Sequence, residues 1–329
     1  MIAFLYSIQI VITRVRQTLR TSRLKVVSGK PPRPPRRIPR SFTTQAPLNP
    51  RQLLSRAVLA LVAALLFGFL LDITVLSGLQ QTIAQTQIRE QFGEQLKAGT
   101  AAVGEGTFEN VLLADGDPVA RIEIPAIAVD LIVVEGTSAR TLNKGPGHRR
   151  DTNLPGQAGV TVVMGRMAAY GGPFARIQEL NPGELISFIT GQGEHTYRVI
   201  GVRYAGDLAP PLPGSGQGRL ILETARGFPF MPSGVIRVDA ELVSTPQLAG
   251  ARQTSFLQLA AADKELASDT GTIWALVFAL QFFVVAEIGA AYGLKLVGKA
   301  KTWVVFVPVL LLAGLLVADQ LTHLLPNLL

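Results

Sequence analysis

The sequence predicts a closed all-β barrel or sandwich joined to transmembrane α-helices. Seven or eight short strand patterns, separated by Gly and Pro turns, occupy residues 117–244. This spacing is typical of a barrel or sandwich, because each strand covers only a few residues before the chain turns back. Three apolar runs flank the strands, and each approaches the length of about 20 residues that crosses a bilayer.

The predicted strands are short and are separated by Gly and Pro turns. They are Val119–Ile124, Leu131–Glu135, Val160–Met164, Leu185–Thr190, Thr196–Tyr204, Arg219–Thr224 and Val235–Leu242. A short helix is predicted at Phe174–Leu180, where the Asn-Pro-Gly turn at 181–183 ends it.

The basic residues are concentrated at one end of the chain. Residues 1–56 contain 12 Lys and Arg and no Asp or Glu, whereas the remainder has 19 basic and 23 acidic residues. A nucleic-acid-binding protein spreads its positive charge over a folded surface. Here the charge directly precedes an apolar run, which is a membrane-topology signal, and no nucleic-acid partner is predicted.

Three spans are predicted at residues 57–79, 273–294 and 303–323. A second basic cluster, Lys295, Lys299 and Lys301, lies in the predicted cytoplasmic loop 295–302. Positive charge favours the cytoplasmic side, so both clusters predict one orientation. The chain is expected to be a multi-pass protein of the cell membrane, with a cytoplasmic N-terminus. The barrel and the tail 324–329 are then extracytoplasmic.

The predicted soluble connections differ in composition. The tail 1–56 is Pro-rich and expected to be cytoplasmic and largely disordered, since it holds few large apolar side chains. Its apolar start, followed by arginines, predicts contact with the lipids of the inner leaflet. Residues 80–116 predict a helical stalk and linker that lift the barrel off the membrane, and residues 245–272 predict a linker.

Three carboxylates fall inside the predicted spans: Asp72, Glu287 and Asp319. Asp72 lies near the far interface of the first span, where it either caps or snorkels, or meets a partner helix. Glu287 lies within the second span, and a carboxylate there implies a partner, with Lys295 as the nearest candidate in the chain.

Small and polar residues near the chain end predict helix contacts. Gly289 and Gly293 form a small-xxx-small spacing that packs the second span either on the third or on another membrane protein. Asp319 and His323 are spaced i, i+4 and are predicted to pair on one helix face.

Several motifs in the barrel region resemble the sortase family. They occur in the family's order: RIEIPAIAVD at 121–130, VVEG at 133–136, LNKGPGH at 142–148, LPG at 154–156, VVMGRMAAYGGPF at 162–174, LILETA at 220–225 and GVIR at 234–237. The resemblance covers residues 117–244 and is nearest to the class E-like sortases of high-GC Gram-positive bacteria. It implies a closed β-barrel of about eight strands and a cell-surface transpeptidase.

The family's reactive residues are not all present. Sortases use a cysteine thiolate as nucleophile, a histidine for proton transfer and an arginine for the oxyanion. The resemblance places the cysteine position at Ala225, the histidine position at Arg166 and the arginine at Arg237. A methyl group cannot form an acyl-enzyme, and a guanidinium cannot act as a base near neutral pH. The resemblance therefore implies a pseudoenzyme with no catalytic residues.

The remaining groups suggest no other chemistry. His148 is predicted to be structural and His195 to be exposed at a strand start, while Ser215 and Ser233 lie in Gly- and Pro-rich loops. The chain has no cysteine and three scattered histidines, so no metal site and no cofactor are predicted.

The cleft is expected to carry Arg166, Arg237 and Glu223. Glu223 lies two residues before Ala225, so both side chains leave one face of the strand. A Glu223–arginine pair is one interpretation, and binding of a peptide or an anionic ligand in the cleft is the other.

The leading hypothesis is a non-catalytic binding or assembly subunit within a membrane complex. Buried charges and the Gly289 and Gly293 face favour a membrane protein partner bound through the spans. Two alternatives are an active sortase or hydrolase with an unrecognised nucleophile, and a peptide receptor that uses the retained groove.

Overall fold

The computed structural model describes residues 50–106, 111–250 and 252–329. The predicted disordered tail and its lipid contact lie outside these ranges, apart from residues 50–56, which are helical.

Eight strands close into one barrel, in the order β1-β2-β3-β4-β7-β8-β6-β5. The pairs β2–β3 and β4–β7 are parallel and the others are antiparallel. The strands are β1 (Pro118–Ile124), β2 (Val129–Glu135), β3 (Gly147–His148), β4 (Gly159–Met164), β5 (Leu185–Thr190), β6 (Gly193–Arg203), β7 (Gly218–Phe228) and β8 (Met231–Leu242). The predicted all-β barrel is thereby confirmed.

The sequence pattern located seven of the strands and missed β3. This strand has two residues, too few for a period-2 pattern to register. The hairpin of β7 and β8 also extends beyond its predicted bounds, because Gly227, Pro229 and Pro232 obscure the alternation there. The helix predicted at Phe174–Leu180 is wrong in type: only a 3₁₀ turn, Ile177–Glu179, forms before the Asn-Pro-Gly turn.

Side chains on the inner faces of the strands build the barrel core. On β6, His195, Tyr197 and Val199 alternate inward, and the Tyr197 ring meets Phe188 edge-on at a centroid distance of 5.7 Å. Alternation of this kind fixes the register, because a one-residue slip would bring the polar residues inside.

Helices precede and follow the barrel strands in the sequence. They are α1 (Pro50–Leu71), α2 (Ser77–Ala98), α3 (Ile273–Leu296) and α4 (Lys299–His323). A π-helical segment, Asp72–Leu76, joins α1 to α2 without a break. Three helical stretches, Leu61–Ala98, Thr270–Leu294 and Ala300–His323, are long and apolar enough to cross a membrane. The third includes Pro308 within α4.

The helices differ from the predicted connections in two places. The loop predicted at 295–302 shrinks to Val297 and Gly298, because α3 and α4 extend towards each other and Gly298 turns the chain at a φ of +87°. The segment predicted as a stalk is helical, but it does not stand clear of the barrel. Its buried residues Gln85, Ile88 and Phe92 lie along one face, and Gln85 hydrogen-bonds to β2.

Candidate functional site

The middle of the β7–β8 pair forms the floor of the candidate site. Glu223 pairs in register with Arg237, and Ala225 pairs with Val235. Because paired residues share a face and the period is two, all four side chains leave the same face of the sheet. The structure therefore brings together the positions that the family resemblance assigned to the nucleophile and to the arginine.

Arg237 is held by two carboxylates. Its Nε donates to Glu223 Oε1 at 2.8 Å, so the predicted Glu223–arginine pair is present, and its Nη2 donates to Glu265. Sequence reasoning missed Glu265, because it lies in the segment predicted as a linker and no local pattern ties it to β8. A third group, Arg149, lies 3.9 Å from both Glu223 and Glu265.

Glu223 is buried in this network. Burial raises the pKa of the Glu223 carboxyl, the neighbouring Glu265 raises it further, and Arg237 and Arg149 oppose the rise; the pKa is about 7. Arg149 also pairs with Asp151, so the network holds three acids against two arginines. The Glu223 carboxyl is partly protonated at neutral pH.

Arg166 follows β4 and is fully buried. Its Nη2 donates to Ala139 O and to Asn143 Oδ1, both at 2.7 Å. The guanidinium lies over the ring of Tyr170, with a carbon-to-centroid distance of 4.9 Å. Burial lowers the pKa of Arg166 to about 10, and Tyr170 partly opposes the shift. Arg166 is still protonated at neutral pH, so it has no lone pair with which to accept a proton.

Residues from the end of the described chain contact both Ala225 and Arg166. Leu328 is fully buried in one apolar cluster with Ala225 and Val235. Arg166 Nη1 donates to Leu329 O at 3.3 Å. The segment 324–329 was predicted only as an extracytoplasmic tail, and no feature of its sequence signals that it returns to the barrel.

A second cluster resembles a catalytic triad. His148 Nδ1 lies 2.9 Å from Glu135 Oε2, and Thr152 Oγ1 lies 3.2 Å from His148 Nε2. However, Nε2 also lies 2.9 Å from Asn153 O, and a carbonyl can only accept, so Nε2 carries a proton. The Thr152 hydroxyl donates to Arg149 O at 2.7 Å. Neither group is therefore arranged as base or nucleophile, and His148 is structural, as predicted.

Two other sequence predictions have different outcomes. His195 is buried, with 2% of its surface exposed, so the prediction of an exposed histidine is wrong. The reason is register: β6 begins at Gly193, and His195 falls on its inward face against Gly156. Among the described residues no group of three or more His, Cys, Asp or Glu could hold a metal ion.

The residues predicted inside the spans lie mostly between helices of this chain. Asp72 is buried and interacts electrostatically with Asp319 and His323 of α4, so its partner helix is in the same chain. His323 Nε2 lies 3.7 Å from Asp319 Oδ2, which is the predicted i, i+4 pair.

The small-xxx-small face also packs within the chain. A Cβ built at Gly289 would lie 3.0 Å from the Phe306 ring, and one at Gly293 would lie 3.2 Å from Thr302. The second span is therefore packed on the third through this face. Glu287 is half-buried and pairs with no described side chain; the side chain of Lys295 lies outside the described residues.

The closed eight-stranded barrel carries the candidate site on β7 and β8 and on the segment that follows β4. Helices long and apolar enough to cross a membrane are attached to it. A family model, the Sortase domain, matches residues 122–224. Sortase D of Bacillus subtilis (strain 168) is 37% identical over 79 residues, which is 24% of this chain and 38% of that protein. The barrel region is thus similar to sortases in sequence, and the match to this relative spans well under two thirds of its length.

Solved sortase structures align with part of the chain. A Clostridium perfringens Sortase D5 transpeptidase aligns at 20% identity with a TM-score of 0.39, covering 50% of this chain and 99% of that one. Sortase E1 from Streptomyces coelicolor, with a tripeptide in its active site, aligns at 22% identity with a TM-score of 0.34, covering 40% and 92%. The similarity to sortases therefore rests on the sequence matches within residues 122–224.

Proposed function

We propose that the chain is a non-catalytic sortase-like membrane protein that acts as a binding or assembly subunit at the cell surface. The observation that carries the proposal is Ala225, a methyl group where the family resemblance expects the nucleophile. Ala225 is fully buried in an apolar cluster, which suits a packing role at this position.

The groups around Ala225 support the same conclusion. Arg166 is a fixed cation bonded to Ala139 O and Asn143, which suits a structural role and not proton transfer. The nearest hydroxyl in sequence, Thr224 Oγ1, is buried and donates to Gly165 O at 2.8 Å. Arg237, the one family group retained, is paired with Glu223 and Glu265 instead of being free to stabilise an oxyanion.

Activity is tested with the purified full chain, a fluorogenic sorting-signal peptide and an amine acceptor. We expect neither cleavage nor transfer above buffer. Turnover by the Ala225→Cys variant is compared with turnover by the Ala225→Cys, Arg166→His double variant. The double variant should be faster, because a positioned histidine contributes about 10²–10⁴-fold in acid–base catalysis. Turnover by the unmodified chain, abolished by a point change within residues 117–244, would establish the rival function, an enzyme with another nucleophile.

The assembly half of the proposal is carried by Glu287. A carboxylate on an apolar helix is costly in lipid unless a partner satisfies it, and no described side chain pairs with Glu287. We therefore propose a membrane protein partner that offers a basic or hydroxyl group at this level of α3.

Native electrophoresis of membranes solubilised in mild detergent measures this assembly. We expect the unmodified chain to migrate well above 35.2 kDa plus its micelle, and the Glu287→Leu variant to lose the larger species. Val285→Leu is the matched control, because Val285 is exposed on the same helix. A complex that persists in Glu287→Leu, or an unmodified chain that runs as a monomer, contradicts the proposal.

A further inference from the structure

The surface of β4, β7 and β8 around Ala225 is called the groove here. Residues 327–329 lie along it in the manner of a bound peptide. Leu328 fills an apolar pocket, and its cluster comprises Leu142, Val162, Met164, Ala225 and Val235. The main chain is recognised as well, since Met167 N donates to Leu328 O at 2.9 Å and Arg166 Nη1 donates to Leu329 O. Backbone hydrogen bonds together with a side-chain pocket are the usual means by which proteins bind extended peptides.

Asn327 fastens this segment from two sides. Its Nδ2 donates to Thr137 O on the barrel at 2.8 Å and to Lys264 O at 2.9 Å, while its main-chain N donates to Ala267 O at 2.8 Å. Lys264 and Ala267 belong to the segment 263–267, which lies across the same groove and carries Glu265, the partner of Arg237. The groove is thus covered jointly by the segments 263–267 and 327–329.

The end of α4 is bonded to the same part of the barrel. Thr322 Oγ1 lies 3.0 Å from Tyr170 Oη, and His323 Nδ1 lies 3.4 Å from Asn143 Nδ2. Asn143 also accepts from Arg166, so α4 and the groove share one hydrogen-bonded network. Three residues separate His323 from Asn327, which leaves little slack between the helix and the groove.

The groove is not fully satisfied by this occupant. Arg166 Nε is buried and has no hydrogen-bond partner in the described part of the chain. An unpaired donor on a buried cation is unfavourable. A ligand that placed a large aliphatic side chain beside Ala225 and an additional acceptor at Arg166 would satisfy the site better.

We infer that residues 324–329 are a displaceable plug that closes the groove in cis. An extended apolar peptide followed by an acceptor group, offered in trans, enters only when the plug leaves, and movement of α4 relative to the barrel releases it. This inference goes beyond the proposed function, because a plug closes the groove of an active and of an inactive barrel alike.

Thiol protection tests the plug directly, because the natural sequence has no cysteine and each introduced one is the sole thiol. In the full chain in detergent, we expect Ala225→Cys to react with a maleimide at least about 100-fold more slowly than Phe228→Cys, which is on the same strand and 78% exposed. Adding Leu328→Asp puts a carboxylate into the apolar pocket and should accelerate the reaction of Ala225→Cys at least about tenfold.

A core cysteine separates release of the plug from unfolding. Ala240→Cys lies in the barrel core and is matched in size, so it should stay protected in the Leu328→Asp background. Asn327→Ala, a milder change, should accelerate Ala225→Cys less than Leu328→Asp does. Rapid labelling of Ala225→Cys with the plug intact overturns the inference. So does equal protection with and without Leu328→Asp, which would assign the cover to residues 263–267 alone. Peptide turnover plays no part in this readout, so it fails independently of the proposed function.

Discussion

Gly156 leaves no room for a side chain, because the ring of His195 lies directly against its Cα. A Cβ built there would be 2.2 Å from the ring, and φ at this residue is +90°. His195 in turn has no hydrogen-bond partner for either ring nitrogen within the described residues. Burial without a partner lowers the pKa of His195. His195 is therefore a packing residue of the barrel interior. Its ring lies against Gly156, from which β4 and β5 separate it in the sequence.

Gly156→Ala should destabilise the barrel through both strain and overlap. Gly193→Ala is the matched control: its φ of +119° imposes similar backbone strain, but a Cβ there meets nothing within 4 Å. We expect Gly156→Ala to cost about 1–3 kcal/mol more than Gly193→Ala in free energy of unfolding, the range for overpacking a core. Chemical denaturation of both variants checks this, and equal losses would show that the His195 contact contributes nothing.

Motif order in the sequence located Arg166, Glu223, Ala225 and Arg237, because each follows a recognisable strand. It could not locate Glu265 or Leu328. Both lie in segments without strand or helix periodicity, and each reaches the site only through the folding of a long connection. The sequence therefore predicted which strand residues form the site. It did not predict the second carboxylate on Arg237 or the segment that covers the groove.

At the scale of elements, α2 substitutes for a missing strand at the edge of β2. β3 pairs only with Val134 and Glu135, so the outward N–H and C=O of Ile132 have no strand partner. Gln85 supplies both bonds: Ile132 N donates to its Oε1 at 2.7 Å, and its Nε2 donates to Ile132 O at 3.0 Å. A Gln-rich segment without helix breakers is equally compatible with an exposed helix and with one docked on the barrel. The sequence therefore did not reveal that this face is buried.

Gln85→Ala should weaken the docking of α2 on the barrel. The change leaves a buried N–H and two carbonyls without their partner, including Lys144 O, and an unsatisfied buried group costs about 1–3 kcal/mol. Gln87→Ala, exposed on the same helix, should change the stability by less than about 0.5 kcal/mol. Hydrogen exchange at Ile132 is the local readout. Equal protection of this amide in both variants would mean that α2 contributes no protection to β2.

At the scale of the whole molecule, the barrel and the apolar helices meet in a few side chains. Tyr170 and Phe230 of the barrel domain, together with Leu325 after α4, pack against Phe69 of α1 and Ile73 of the π-helical segment. The helices α1, α3 and α4 pack on one another through Leu65, Phe283 and Ala313. Hydropathy predicted which helices are long enough to cross a membrane, since that depends on composition alone. The contacts between them and the barrel depend on tertiary folding and left no pattern in the sequence.

The orientation of these helices follows from charge. Arginines are concentrated before the first apolar run, and Lys295, Lys299 and Lys301 lie in the adjoining ends of α3 and α4. Because positive charge favours the cytoplasmic side, we propose three crossings with the barrel outside. On intact cells, Gly214→Cys, in an exposed loop, should react with an impermeant maleimide. Lys301→Cys should react only after permeabilisation. A cysteine at Asn327 would be uninformative, because this residue is buried in the groove on whichever side it lies. Labelling of Lys301→Cys but not of Gly214→Cys would invert the orientation, and labelling of both without permeabilisation would contradict the three crossings.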